Sequence, residues 1–473
     1  MYLTTILERA SRRPDETAAV TDDRRVTWAG FASDVERLAA WLTAAGLERH
    51  QTVGVSIRDG YRHLVTALAL MRMGTIHVAL PTHEPRAYRA ELAARTKAIA
   101  VVADDSAAAL PGLPHLVPDF DAPPAAAAEA ADGSDSVAIY LVSSGTTGRA
   151  KIVPLTQRQL YHQSLRWQWP ERHEVFYRPA SIEYNVAKKQ RLYSLLLGNV
   201  NVVVDPARWQ IADVCRRFGV TMLGLSSAQA RASIDGAARG QRLPAETHLR
   251  VGGSPISQAL RAEIMAAVSP NLHVSYGASE FGSIATAGPA HHRAPPDCLG
   301  IVHPGVTLEI VDEHDRVLPA GARGGIRLRG EGMTGGYFDD DAASATVFRD
   351  GWFYPGDAGH LTEDGLLCFA GRQDDMFILA SINIFPAEIE RVVEGLPEVR
   401  ECAAFSVRSE NFGDIPLVAV VPRAPIEPDA VLAYAKGKLG LKAPRKVFVV
   451  DALPRTGHGK IDRAALQALA RPR

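Results

Sequence analysis

Cysteine is scarce in this chain. Cys215, Cys298, Cys368 and Cys402 are scattered through 473 residues with no CxxC pair. That argues against a metal knot and a disulfide framework and fits a reducing cytosol. Long apolar runs are missing as well. No stretch of about 18 uncharged apolar residues occurs, so a membrane-spanning helix is not expected. Residues 1–14 carry Glu8, Arg9, Arg12 and Arg13 and do not read as a signal peptide. There is no excess of charge of one sign. The formal net charge is −1, which leaves no global field to draw in nucleic acid or an anionic membrane. The remainder is an ordinary globular mixture, 47% apolar and 22% charged. The length is too great for one core, so roughly two or three domains are expected.

The first third alternates helical and strand-like stretches. Apolar residues fall at helical spacing over 31–47 and 64–74, and short apolar runs at 52–57 and 76–80 read as strands. That alternation predicts an α/β sheet with parallel strands. The alanine-rich stretch 122–131 reads as a surface connection. Residues 137–142 form a strongly apolar strand that runs straight into a Gly/Ser/Thr segment. Between 301 and 336, VTLEIVDE and GGIRLRG are short alternating runs divided by turn residues, which predicts a small antiparallel β unit. Beyond Arg372 the order is helix (FPAEIERVVEGL), two strands (CAAFSV, LVAVVP), a lysine-bearing helix and a strand (KVFVVD). The expected organisation is therefore a large α/β region with a small β unit at 1–373, followed by a mobile α+β lid at 374–473.

The segment SSGTTGRAK, 143–151, follows the apolar strand. Small residues let the backbone approach an anion closely, and hydroxyl and amide groups can donate to phosphate oxygens. It is not a Walker loop, because Ala150, Lys151 and Ile152 stand where Gly-Lys-Ser/Thr is required. Alone it reads equally as a flexible turn. It is followed, in order, by VSYGASE ending at Glu280, WFYPGD ending at Asp357, GRQDD at 371–375 and PRTGHGK ending at Lys460. Each joins turn-forming glycines to one chemically useful side chain. An ATP-using ligase needs an aromatic face for adenine, a carboxylate for the ribose hydroxyls, an acid for Mg²⁺ and a cation for the developing phosphate charge. Tyr276, Asp357, Glu280 and Lys460 supply these. Taken singly, Asp357 would be a turn former, Lys460 a solvated charge and Tyr276 a core aromatic.

With these motifs in this order, the sequence resembles the adenylate-forming superfamily of acyl-CoA synthetases, peptide-synthetase adenylation domains and luciferases, over about residues 140 to 463. The resemblance implies activation of a carboxylic acid as its adenylate with release of pyrophosphate, with ATP and Mg²⁺ as cofactors. A thiol of CoA or of a carrier protein's phosphopantetheine would then take the acyl group. An amine acceptor and a catalytically silent nucleotide-binding scaffold are the alternatives. The phosphates would lie on Ser144, Gly145, Thr146, Thr147 and Gly148, with Lys151 close by. The nucleotide would also meet Gly253, Ser254, Pro255, Tyr276, Gly277, Ser279, Asp357 and Arg372. Glu280, with Thr146, would hold Mg²⁺. Lys460 and Glu280 would be catalytic, and Asp374 would be the hinge.

The chain departs from the family pattern at several positions. Ala150 stands where proline is usual, and Ser279 replaces threonine while keeping the hydroxyl. Ser381 in ILASIN occupies an expected glycine position, where a side chain would either narrow a thiol tunnel or simply be tolerated. In ASIEYNVAKKQ, Glu183, Tyr184 or Asn185 falls near the peptide-synthetase aspartate that holds an α-amino group, and with Gly252 these make the expected acyl pocket. An Asn or Glu buried there without a partner would call for a polar substituent on the acid. Lys188, Lys189 and Arg191 are expected on a solvated face. Neither a nucleic acid nor a membrane is an expected partner, and the expected location is the cytoplasm.

Overall fold

The computed structural model describes residues 1–105, 109–120, 133–143, 150–167, 174–253, 256–293, 295, 297–379, 382–409, 413–456 and 461–470. The apolar runs of the first third become the strands Thr52–Ser56, Ile76–Ala79, Ala98–Ala103 and Val137–Ser143, mutually parallel where they pair. Thr52–Ser56 is buried along its whole length, as strands covered on both faces must be. The helices Trp28–Ala44 and Gly60–Met73 alternate with these strands. Gly60–Met73 is capped by the Asp59 carboxylate and ends at Gly74, whose φ of +73° is the left-handed stop that suits glycine. Lys151–Thr156 closes this sheet as an antiparallel edge, with Ser143 directly opposite Lys151.

A second sheet continues the α/β pattern. Val175–Tyr177, Met222–Leu225, His248–Gly252 and Leu272–Ala278 are parallel neighbours. The predicted antiparallel unit is present, with Thr307–Val311 paired to Gly324–Arg329. It is continuous with the parallel sheet through Asp357–Leu361, Leu366–Arg372, Cys298–Val302, Gly282–Ala287 and Leu272–Ala278 in turn. The helices Gln157–Trp167 and Asn185–Leu197 join the layers. Leu160, Leu192, Tyr193 and Leu196 share one apolar cluster with Val53 and Leu155 of the first sheet and with Phe176 and Met222 of the second.

The C-terminal part has its own sheet among the described residues. It consists of Phe377–Leu379, Ile382–Ile384, Gly413–Pro422, Val399–Ser409 and Val447–Val449. Helices Pro386–Val393 and Pro428–Leu439 contribute Ile389, Val393, Val431 and Ala435 to its core. Ion pairs link this part to the large region, among them Arg323–Glu388 at 2.6 Å and Arg423–Glu263 at 2.6 Å. No helix among the described residues is long and apolar enough to cross a membrane. The alanine-rich stretch 122–131 lies within the residues outside the description.

Candidate active site

In open α/β sheets, ligands settle at the carboxyl ends of the strands. Here that edge carries Gly252 and Gly253 after one strand and Tyr276 and Gly277 near the end of its neighbour. A Cβ on Gly277 would lie 2.4 Å from the Gly282 carbonyl oxygen. Only glycine fits the irregularity at 276/277, where the strand pairs with Gly282–Ala287 and then turns to deliver Ser279 and Glu280. Gly253 has a φ of +92°, a conformation that disfavours any side chain.

Asp357 and Arg372 are the first and last residues of a β-hairpin, Asp357–Leu361 with Leu366–Arg372, whose register sets them face to face at its open end. The Tyr276 hydroxyl donates to Asp357 Oδ2 at 2.5 Å. Arg372 Nη1 donates to Asp357 Oδ1 at 3.2 Å and to the Pro355 carbonyl at 2.5 Å. Its Nη2 donates to Asp374 at 2.9 Å. Asp357 is buried. Burial pushes its carboxyl above the ordinary carboxylate range, and the hydrogen bond from Tyr276 and the Arg372 charge oppose that push. Burial also holds the Tyr276 phenol well above its usual value, reinforced by the Asp357 charge. An aromatic ring, a carboxylate and a guanidinium thus form one hydrogen-bonded line at the strand ends.

Glu280 forms a second centre. The Tyr337 hydroxyl donates to Glu280 Oε1 at 2.9 Å, and the Lys151 ammonium lies 4.7 Å from the centre of the Tyr337 ring, a cation–π contact. Thr334 ties the backbone on both sides. Its N–H donates to the Glu280 carbonyl at 2.9 Å and its hydroxyl to the Pro154 carbonyl at 2.8 Å. Lys189 Nζ reaches the carbonyls of Ala278 and Ser279, each at 3.4 Å. Burial lowers this ammonium to about 8, against the pull of Glu280. Tyr337, Thr334 and Lys189 were not among the expected site residues. The one sequence signal was the aromatic that follows Gly335-Gly336, a turn that can carry a ring back over a strand.

Mg²⁺ takes one or two carboxylates plus phosphate oxygens and waters, and the single Glu280 carboxylate suits that role. Among the described residues no group of three or more His, Cys, Asp or Glu could hold a metal ion. The fit therefore rests on Glu280 and on the nucleotide itself.

Glu183, Tyr184 and Asn185 sit in the turn between a strand and a helix, with Asn185 opening the helix Asn185–Leu197. Their partners are protein groups. Glu183 accepts from the Thr82 N–H at 2.7 Å and the Thr82 hydroxyl at 3.0 Å, Asn185 donates to the Val142 carbonyl at 2.5 Å, and the Tyr184 ring lies 4.7 Å from that of His83. The expectation of an unpaired Glu or Asn awaiting a substrate group is not met. The reading of Lys188, Lys189 and Arg191 as a solvated face is overturned, since all three are buried at 0%, 7% and 3% exposure. The helix that bears them is covered from both sides by the two sheets, so it has no solvated face to offer them. Ser144, Gly145, Thr146, Thr147, Gly148, Ser254, Pro255, Ser381 and Lys460 lie outside the described residues.

The chain belongs to the AMP-binding enzyme family, whose model matches residues 6–338, with the family's C-terminal domain matching 388–460. It is similar to an indoleacetate–CoA ligase of Aromatoleum aromaticum, 28% identical with 96% of this chain and 94% of the relative covered. It is also similar to a 2-succinylbenzoate–CoA ligase of Bacillus cereus, 25% identical with 98% of each covered. Among solved structures, an o-succinylbenzoate CoA synthetase from Bacillus subtilis, in complex with its acyl-adenylate intermediate, superposes with a TM-score of 0.87 at 22% identity, covering 99% of this chain and 98% of that one. An amide bond synthetase from Marinactinospora thermotolerans gives 0.87 at 23% identity, with 99% of each chain covered. Both share the mixed α/β fold with a large N-terminal and a small C-terminal domain.

Proposed function

We propose that this chain is an ATP-dependent, AMP-forming acid ligase that makes an acyl-adenylate and passes the acyl group to a thiol, CoA or a carrier protein's phosphopantetheine. The observation that carries the reading is the Tyr276–Asp357–Arg372 line beside Glu280 at the strand ends. Family membership and CoA-ligase relatives over nearly the whole chain support it. Tyr276 offers a ring to adenine, and Asp357 accepts from the ribose hydroxyls while Arg372 holds it. The substrate carboxylate oxygen attacks the α-phosphorus, and the bond from that phosphorus to the pyrophosphate oxygen breaks. Thr146, Thr147 and Gly148 hold the outer phosphates, with Lys151 beside them. Lys460 meets the charge that grows on the α-phosphate, a task of positioning and electrostatics. Glu280, with Thr146, would hold Mg²⁺, which would supply neutralisation of phosphate charge.

The domain boundary in this reading falls at Asp374, with 374–473 as a lid that turns between adenylation and transfer. The four cysteines are free, which suits the reducing cytoplasm proposed as its setting. Ser381 in place of glycine favours a second reading, in which an amine replaces the thiol as acceptor.

Pyrophosphate exchange over a panel of carboxylic acids tests the first half-reaction. Exchange with none of them, alongside intact ATP binding, would favour a silent scaffold. Acyl transfer from the preformed adenylate, measured in parallel with CoA and with simple amines, separates the two acceptors.

A further inference from the structure

Arg178 is the first residue past the carboxyl end of the strand Val175–Tyr177, on the edge that carries the site. Its side chain is buried at 6% exposure. Nη1 donates to the Gln190 side-chain oxygen at 3.0 Å, and Nε is buried with no hydrogen-bond partner. No carboxylate among the described residues pairs with it, and the charge that bears on it is the like charge of Arg191.

Other buried arginines are held differently. Arg166 donates to the carbonyls of Ser283, Glu331 and Phe281, and Arg191 to those of Val202 and Arg178. Backbone carbonyls are how this protein satisfies a guanidinium that belongs to its frame. Arg178 has none among its described bonds. A buried charge without a counter-ion is costly, and native structures keep one where something else pairs with it.

A glycine lets the guanidinium pack close to the neighbouring strand. Gly224, on the neighbouring strand Met222–Leu225, is the residue against which Arg178 and Gln190 pack. A Cβ there would lie 3.0 Å from Gln190 Oε1 and 3.2 Å from Arg178 Nη1. Gln190 stands on the helix Asn185–Leu197, two turns or less from the strand-to-helix turn at Asn185. Strand end, glycine and helix therefore meet at one guanidinium, on the carboxyl edge of the sheet.

We propose that Arg178, steadied by Gln190, is the specificity residue of the acyl pocket, and that the acid activated carries a second carboxylate remote from the one joined to AMP. This rests on the acid-ligase reading above. The guanidinium fork matches a carboxylate in two parallel hydrogen bonds. Gln190 holds one nitrogen and so fixes the plane of the fork. The pairing supplies the missing counter-ion only when substrate is bound.

The test is pyrophosphate exchange with matched acids on one carbon skeleton: the monoacid, the diacid, and the diacid with its second carboxyl converted to an amide. Wild-type enzyme should prefer the diacid to both by roughly 10- to 100-fold in kcat/KM, mostly through KM, the scale of a hydrogen bond to a charged group. Arg178→Leu should collapse that ratio towards unity, and Arg178→Lys should recover part of it. Equal or better use of the monoacids by wild-type enzyme would overturn the inference while leaving the ligase reading standing, as would a diacid preference that survives Arg178→Leu. No exchange with any acid would instead count against the ligase reading. Should Arg178→Leu fail to fold, the wild-type ratio and Arg178→Lys still decide.

Discussion

Asp357→Asn separates a residue that serves a ligand from one that serves the fold. The substitution keeps the shape and deletes one charge. In the wild type the carboxylate accepts from Tyr276 at 2.5 Å and from Arg372 at 3.2 Å. An asparagine can turn its oxygen to Arg372 and its NH₂ to the tyrosine oxygen, so both contacts survive in neutral form. Arg372 also keeps Asp374 and the Pro355 carbonyl. Folding stability should stay within about 1.5 kcal/mol of wild type, the net scale of one hydrogen bond. The pH dependence has a definite sign. Burial raises the Asp357 carboxyl in the folded state, so its favourable contribution is present below the unfolded value and is lost as pH rises through the folded one. The variant should therefore gain on the wild type as pH climbs above about 4. Nucleotide binding should move the other way. Two ribose hydroxyls donating to a charged acceptor are worth about 1.5–3 kcal/mol each, so the KM for ATP should rise on the order of 10²-fold or more. Urea titrations at several pH values and the ATP dependence of pyrophosphate exchange measure the two effects. An unchanged KM for ATP would refute the ribose assignment. Stability and ATP binding falling together would mark Asp357 as a structural residue instead.

Three further outcomes are expected. Lys460→Ala should slow adenylation by roughly 10² or more while ATP still binds, and near-normal pyrophosphate exchange would remove Lys460 from the chemistry. Asp374→Pro, which fixes φ near about −65° and removes an N–H, should leave adenylation in place and stall acyl transfer; equal loss of both half-reactions would sink the hinge. Lys188 is fully buried with no hydrogen-bond partner for its ammonium among the described residues, and burial lowers that ammonium to about 7 against the pull of Glu183. The unfolded chain holds that proton up to about pH 10, so wild-type stability should rise with pH between the two values. Lys188→Met should flatten the rise and stabilise the protein at pH 7 by about 1–4 kcal/mol, checked by urea melts at pH 7 and 9.5; a destabilised variant would mean Lys188 has a partner in solution.

The motifs made candidate residues legible because each bears its own signal, glycines beside one reactive side chain. Asp357 and Arg372, both expected at the nucleotide, are set face to face by the hairpin register. Thr334 and Tyr337 were not legible, since they reach Glu280 from a separate segment, and nothing local links a Gly-Gly-Tyr to an acid 57 positions away. Glu183 and Asn185 were expected to lack protein partners, and both have them. Their true acceptors and donors, Thr82 and Val142, come from 101 and 43 positions away on the other layer. Lys188, Lys189 and Arg191 were misread for a general reason. Charge on a helix predicts an exposed face only when one face is exposed, and between two sheets the rule has nothing to act on.

Arg372 spans two environments, with one nitrogen on buried Asp357 and another on exposed Asp374. If the small domain turns at Asp374, the outer contact parts in water, where a replacement partner is always at hand and an exposed ion pair is worth little. The inner contact need not break. The handover between half-reactions is then a gear change made outside the casing. Its speed should respond to salt and to substitutions at 374, and stay indifferent to how tightly the large domain is packed.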